Sequence, residues 1–290
     1  MTLSTSTATE LTAEQVQKIL VQPLEDSAVF LAAGARIFDT NGSPVRIPKL
    51  GGPTNPTFIG ENELIPEVEG DFDEMHLMPS TMKSIKVITR FSNELARQSI
   101  VSLDATLKDR LVKDVTNTLD KQLLSASGDG VTTPRGLFAY QGIQKLDVGG
   151  QLTLDHLLEA WGMALSANVN MASLRWLITP ADFVALRGIK DNTGQYIINA
   201  DPTADAVFRL FGSPVTVTSR IPKKTTDGSN RAALVDFSQI AVARDMAPTV
   251  TALPERYAEY DQIGLRVITR YDAAPMNPEA VIALEGITEA

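Results

Sequence analysis

SLDATLKDRLVKDVTNTLDKQLLSA, residues 102–126, is the stretch on which the fold turns. Leu103, Leu107, Leu111, Val115 and Leu119 recur every fourth residue, and Val112 and Leu123 widen the stripe, which is the spacing of a helix with one buried face. Ser102 stands at the N-cap, and Asp104 places negative charge in the positive first turn. At about 1.5 Å per residue a helix over 103–126 exceeds ~30 Å, enough to serve as a spine. Gly128-Asp129-Gly130 ends it, and Thr133-Pro134-Arg135-Gly136 makes the next turn.

Upstream the chain changes character. Met1 to Thr9 is mostly Thr, Ser and Ala and reads as an arm, because it lacks the apolar surface to order itself. Thr12 to Leu24 has the cap and stripe of a short helix, with Gln15 completing a capping box and Val16, Ile19 and Leu20 on one face. Ile37-Phe38, Thr40-Asn41-Gly42-Ser43 and Val45-Ile47 read as strand, tight turn, strand, so a hairpin is expected from Arg36.

An excursion then runs from about Arg46 to Met82. Six prolines between Pro44 and Pro79 exclude a continuous helix. Glu61, Glu63, Glu67, Glu69, Asp71, Asp73 and Glu74 follow one another with no intervening base, and are the candidate subunit-interface residues. Ser84 to Phe91 returns as a strand with Ile85, Val87 and Thr89 on one side and Lys86, Ile88 and Arg90 on the other.

Downstream, a helix from Thr153 to about Asn168 carries Leu154, Leu157, Leu158, Trp161 and Leu165, which read as core, as does Trp176. Leu174 to Ile178 is a buried strand, and Pro180 opens a helix through Phe183, Leu186 and Ile189. Val215–Ser219, Ala232–Phe237, Ile240–Ala243 and Leu265–Tyr271 read as strands. Without a regular βαβ rhythm the class is α+β, and the absence of a clear linker favours intercalated subdomains.

Composition bounds the chemistry. The 290 residues are 43% apolar, ample for a core. A net charge of -9 argues against gripping nucleic acid through phosphates. The absence of cysteine excludes disulfides and thiolate chemistry. Lys18 is the first basic residue, so no secretory signal is expected, and the longest apolar stretch, Ala28 to Ala35, is far below the ~20 residues of a membrane span.

His76 and His156 lack metal-ligand partners in sequence and read as structural, and no Gly-x-Ser-x-Gly elbow or phosphate loop occurs. Asp71, Asp73 and Glu74 do not follow the EF-hand order. Lys49, Lys83, Lys86 and Asn277 could supply an isopeptide crosslink but form no motif. No catalytic, cofactor or metal residues are therefore expected.

Several segments resemble the major capsid proteins of tailed bacteriophages, the Hong Kong 97-type fold. They are Thr133-Pro134-Arg135-Gly136-Leu137, Trp176-Leu177-Ile178-Thr179-Pro180, Leu186-Arg187-Gly188-Ile189-Lys190-Asp191 and Gly194-Gln195-Tyr196-Ile197. Phe211-Gly212-Ser213-Pro214-Val215, Val235-Asp236-Phe237-Ser238-Gln239 and Ile268-Thr269-Arg270-Tyr271-Asp272 follow in order.

The resemblance implies an N-terminal arm over 1–35, an extended loop and its base over 36–90, and a peripheral domain over 91–137 built on the spine helix 103–126. An axial domain over 138–233 and return strands of the peripheral domain over 234–290 complete it. It further implies a homo-oligomer of pentamers and hexamers in an icosahedral virion shell that encloses double-stranded DNA without sequence-specific binding. Assembly would take place in the host bacterial cytoplasm, with a portal and with scaffolding or decoration proteins as separate partners. An encapsulin-type compartment is the alternative within the shell class, and an oligomeric enzyme with an acidic lid loop the alternative outside it.

Overall fold

The computed structural model describes residues 2–3, 29–50, 58–60, 72–78, 83–98, 103–198 and 208–288. The expected helix over Thr12–Leu24, the N-cap Ser102, and Glu61, Glu63, Glu67, Glu69 and Asp71 lie outside them. In chain order the elements are β1 (Thr2–Leu3), β2 (Arg36–Asp39), β3 (Val45–Leu50), β4 (Phe72–Leu77), β5 (Ser84–Ser92), α1 (Asn93–Gln98) and α2 (Leu103–Leu123). There follow β6 (Gln144–Gly150), α3 (Leu154–Ser166), β7 (Leu174–Ile178), α4 (Pro180–Arg187), β8 (Arg209–Leu210), β9 (Ser213–Val217), β10 (Asn230–Asp236), β11 (Ile240–Leu253), β12 (Gln262–Pro275) and β13 (Val281–Ile287).

The spine helix α2 packs its stripe as its spacing requires. Leu111 and Val115 join Phe91, Leu95, Leu265 and Val267 in one core, while Leu119, Leu123 and Leu124 enter another with Phe30, Phe237 and Val242. The helix ends at Leu123, short of the expected Ala126, because Ser125 turns the chain into the Gly128–Gly136 loop. Gly136 is required there: a Cβ would lie 2.2 Å from the Ser125 carbonyl oxygen.

Among the described residues, β1-β5-β12-β11-β2 form a five-stranded sheet beside α2, β6-β13-β10-β7-β9-β8 a six-stranded sheet, and β3-β4 a two-stranded one. In β5, Ile85 and Val87 pack inward while Lys86 and Ile88 are exposed, as the alternation predicts. The central strands β7, β10 and β13 of the six-stranded sheet are buried on both faces, which is why Trp176–Ile178, Ala232–Val235 and Val281–Leu284 are unbroken apolar runs. Leu177, Ala233, Val235, Val281 and Ala283 face the core shared with α2, and Trp176, Ile178, Leu234, Ile282 and Leu284 face the cluster around α3 and α4. One core thus spans both sheets.

Three expectations are corrected. β2 and β3 do not pair with each other: β2 lies parallel to β11, and β3 pairs antiparallel with β4. The Asn41-Gly42 turn instead passes the chain from one sheet to another. β13, within the stretch expected to return to the peripheral layer, lies in the six-stranded sheet between β6 and β10, where its four consecutive buried residues Val281–Leu284 fit a central strand. On α3 the buried residues are Leu157, Ala160 and Ala164, whereas Leu158 and Leu165 are exposed. Trp176 is core, its indole N–H donating to the Leu210 carbonyl at 3.2 Å.

Candidate assembly site: the roots of the arm and the loop

The points at which the expected arm and loop join the described body, near Val29, Gly42 and Met78, are built from carboxylates. At the arm root, Asp120 of α2 is 2% exposed. Its carboxylate accepts from the backbone N–H of Phe30 at 2.7 Å and of Val29 at 3.1 Å, and from the Arg220 guanidinium at 2.9 Å. Arg220 also donates to the Asn117 side chain at 2.8 Å, one turn earlier on α2. Phe30 is fully buried, edge-on to Phe237 with centroids 5.6 Å apart. The arm therefore enters the body at a point fixed by hydrogen bonds and by an apolar plug.

At the loop's exit, Asp245 on β11 accepts from the Gly42 N–H at 2.6 Å and from Arg270 of β12 at 3.0 Å. Arg270 beside it, then the Gly42 N–H, hold the Asp245 carboxyl below the usual carboxylate range. Asp39 meets Arg244 in a two-point contact at 2.6 and 3.0 Å, which lowers the Asp39 carboxyl and raises the guanidinium.

At the loop's return, Asp272 on β12 accepts from the Met78 N–H at 2.8 Å and from the Lys83 ammonium at 2.6 Å, both partners of that ion pair being buried. Burial, reinforced by the nearby Asp272 charge, pushes the Tyr140 phenol far up. Between exit and return, β3 and β4 form a ladder from Val45↔Leu77 to Leu50↔Phe72, so Leu50 and Phe72 lie side by side.

Of the seven acidic candidates, the described Asp73 and Glu74 lie exposed on β4, opposite Lys49 and Pro48. His76 lies 3.6 Å from Glu74 on the same strand. His156 closes a capping box with Thr153, their side chains 2.9 Å apart. Lys83 is held by Asp272, and Asn277 accepts from the Glu279 N–H at 3.2 Å as a local cap. Among the described residues no group of three or more His, Asp or Glu side chains converges as metal ligands would. No helix there is long and apolar enough to cross a membrane.

The sequence reading missed Asp120, Asp245 and Asp272. The available signal was Asp120 beside the apolar stripe of α2, and Asp272 inside the Arg270-Tyr271-Asp272 segment already singled out. Their partners are backbone groups and cations far along the chain, which local pattern does not reveal.

A spine helix against a long sheet, a second sheet sharing its core, and an arm and a loop rooted on the body define a shell-forming subunit of the Hong Kong 97 type. The phage capsid family model matches residues 10–286. The chain belongs to that family, and is a major capsid protein of a phage head. It is 23% identical over 300 residues to the major capsid protein of Klebsiella oxytoca phage phiKO2, covering 94% of this chain and 67% of that one. It is 27% identical over 154 residues to the major capsid protein of Halomonas phage phiHAP-1, covering 53% of this chain and 25% of that one.

Among solved structures, the capsid of a native GTA particle superposes with a TM-score of 0.77 at 15% identity, covering 92% of this chain and 93% of that chain. A Mycobacterium phage Bobi chain superposes at 0.72 with 16% identity, covering 98% of both.

Proposed function

We propose that this subunit builds pentamers and hexamers of an icosahedral head that encloses double-stranded DNA, and that segments 4–28 and 51–71 grip neighbouring subunits. The observation that carries the reading is the likeness to a capsid subunit over nearly the whole chain. The roots support it, because a segment that must reach a neighbour needs a fixed point of departure. Docking such segments buries area that one subunit alone cannot, and charge at the contacts sets register. The net charge of -9 suits a container into which DNA is driven, since an acidic lining does not trap the duplex. Assembly in the host bacterial cytoplasm, with a portal and separate scaffolding or decoration proteins, completes the proposal.

Size-exclusion chromatography with negative-stain microscopy across a salt series tests it. Hollow isometric shells, capsomer rings or tubes are expected, and a small oligomer that never enlarges would count against it. Replacing Glu67, Glu69, Asp71 and Asp73 by their amides should impair or misregister assembly while leaving the melting transition in place. Particles of normal yield and geometry from that variant would refute the role given to the loop.

A further inference from the structure

Helix α3 has two apolar faces. Leu157, Ala160 and Ala164 are buried, and the helix packs on β6 and β13. On its other side Leu158 is 51% exposed, Leu165 is exposed, and half-buried Trp161 lies between them at helical spacing. Asp155 and Glu159 are exposed on the same helix, which contains no Lys or Arg. Lys145 of β6 alternates with Leu146 and Val148, which pack in the cluster beneath α3, so it points to the sheet's other face.

A second exposed apolar region lies at the opposite edge of the same sheet. β6 and β8 are its two edge strands, and six strands at about 4.8 Å spacing separate them by ~24 Å. Here Val184 of α4 is 69% exposed, and Tyr196 and Phe211 are exposed as well. Phe183 of α4 packs against Phe208 with the rings tilted and their centroids 4.9 Å apart, and Phe208 leads directly into β8, so α4 belongs to this edge.

Among the described residues of this edge the exposed charge is mostly positive. Lys190 stands 4.8 Å over the Tyr196 ring, Arg187 stands 5.3 Å over Phe208, and Arg209 is exposed on β8. The Asp191 carboxylate beside them accepts from the Thr193 N–H and hydroxyl and from the Gln195 N–H within its own turn.

We infer that the outer face of α3 in one subunit seats on the α4 and β8–β9 edge of a second copy. Both faces are apolar, and their rims carry opposite charge, which favours this pairing over either face meeting itself. Two different patches at opposite edges make a head-to-tail contact, and repeated head-to-tail contacts close into a ring. Trp161, Tyr196 and Phe211 are the kind of side chain that anchors such contacts. The inference deepens the proposed function and rests on it, since the ring is the capsomer.

The test is charge reversal, read by native mass spectrometry and microscopy on the full chain. Asp155→Lys with Glu159→Lys makes the first face basic, and Lys190→Glu with Arg209→Glu makes the second acidic; a retained melting transition shows each is folded. Each variant alone should lose rings by about tenfold or more, and mixing the two should restore them to within about twofold, in even-numbered rings where reversed copies alternate.

The chain has no cysteine, so Leu158→Cys combined with Val184→Cys gives an independent reading. Oxidised particles of that double variant should yield a covalent ladder up to the ring, and either cysteine alone should stay monomeric. Undiminished rings from either reversed variant, or dimers from Leu158→Cys alone, would overturn the inference while leaving the shell subunit intact. Absence of any ring or shell from the unsubstituted chain would overturn both.

Discussion

The arm root and the outer side of the loop exit both tie the chain to the body through a carboxylate and a guanidinium, in opposite surroundings. Asp120 is buried, with two backbone N–H groups and a guanidinium on it. Asp39, beside the loop exit, meets Arg244 with well over half of its side chain in solvent. A buried carboxylate cannot lose its partners without leaving uncompensated charge and unpaired donors, whereas an exposed one exchanges them for water. The joints pinned by Asp120, Asp245 and Asp272 should therefore be the rigid ones, and the Asp39–Arg244 contact the adjustable one.

The comparison breaks most visibly at Asp120. Asp120→Ala removes the buried carboxylate from Arg220 and from the Val29 and Phe30 N–H groups, and should cost about 3–5 kcal/mol in denaturant unfolding. Next comes Asp272→Asn, which keeps an acceptor for Met78 but leaves the buried Lys83 ammonium without a counter-charge, at a cost of about 2–3 kcal/mol. Adding Lys83→Met to it should recover part of that loss. Additive costs in the double variant would show that the two side chains are not coupled.

Asp245 sharpens the contrast through pH. Its folded pKa lies below the ordinary 3.8, so its stabilising contribution is present above the unfolded value and is lost as pH falls through the folded one. The melting difference between the native chain and Asp245→Asn should be constant from about pH 7 to about pH 5 and should shrink as pH falls below the ordinary 3.8 toward the lower folded value. A difference that grew on acidification would have the wrong sign. The smallest effect belongs to Asp39→Ala, whose ion pair with Arg244 is solvent-exposed, and it should weaken further in high salt.

Periodicity made the spine helix, β5 and the buried strand β7 legible, because each buries one stripe or a continuous run against its neighbours. It misled at α3, where Leu158 and Leu165 share the helix with a true core face: spacing reports that a face is apolar and not which surface covers it. The turn chemistry at Asn41-Gly42 was read correctly, yet its strands found partners elsewhere, β2 pairing with a strand some two hundred residues later. β6, ending in Gly149-Gly150, and β13 gave no local signal of the parallel pairing between them. β11 and β12 run far beyond the segments expected, because register shifts at Arg244/Met246 and Met246/Thr249 break the alternation of β11. The acidic run stood out at once, while the three carboxylates that fix the roots are single residues whose meaning appears only in the folded chain.

The most direct test is a cryo-electron microscopy reconstruction of particles assembled from the unsubstituted chain. The account predicts that 4–28 and 51–71 depart from the Asp120, Asp245 and Asp272 roots and lie against neighbouring subunits. Density for both segments folded back onto their own subunit, with neighbours touching only through the two sheets, would contradict it.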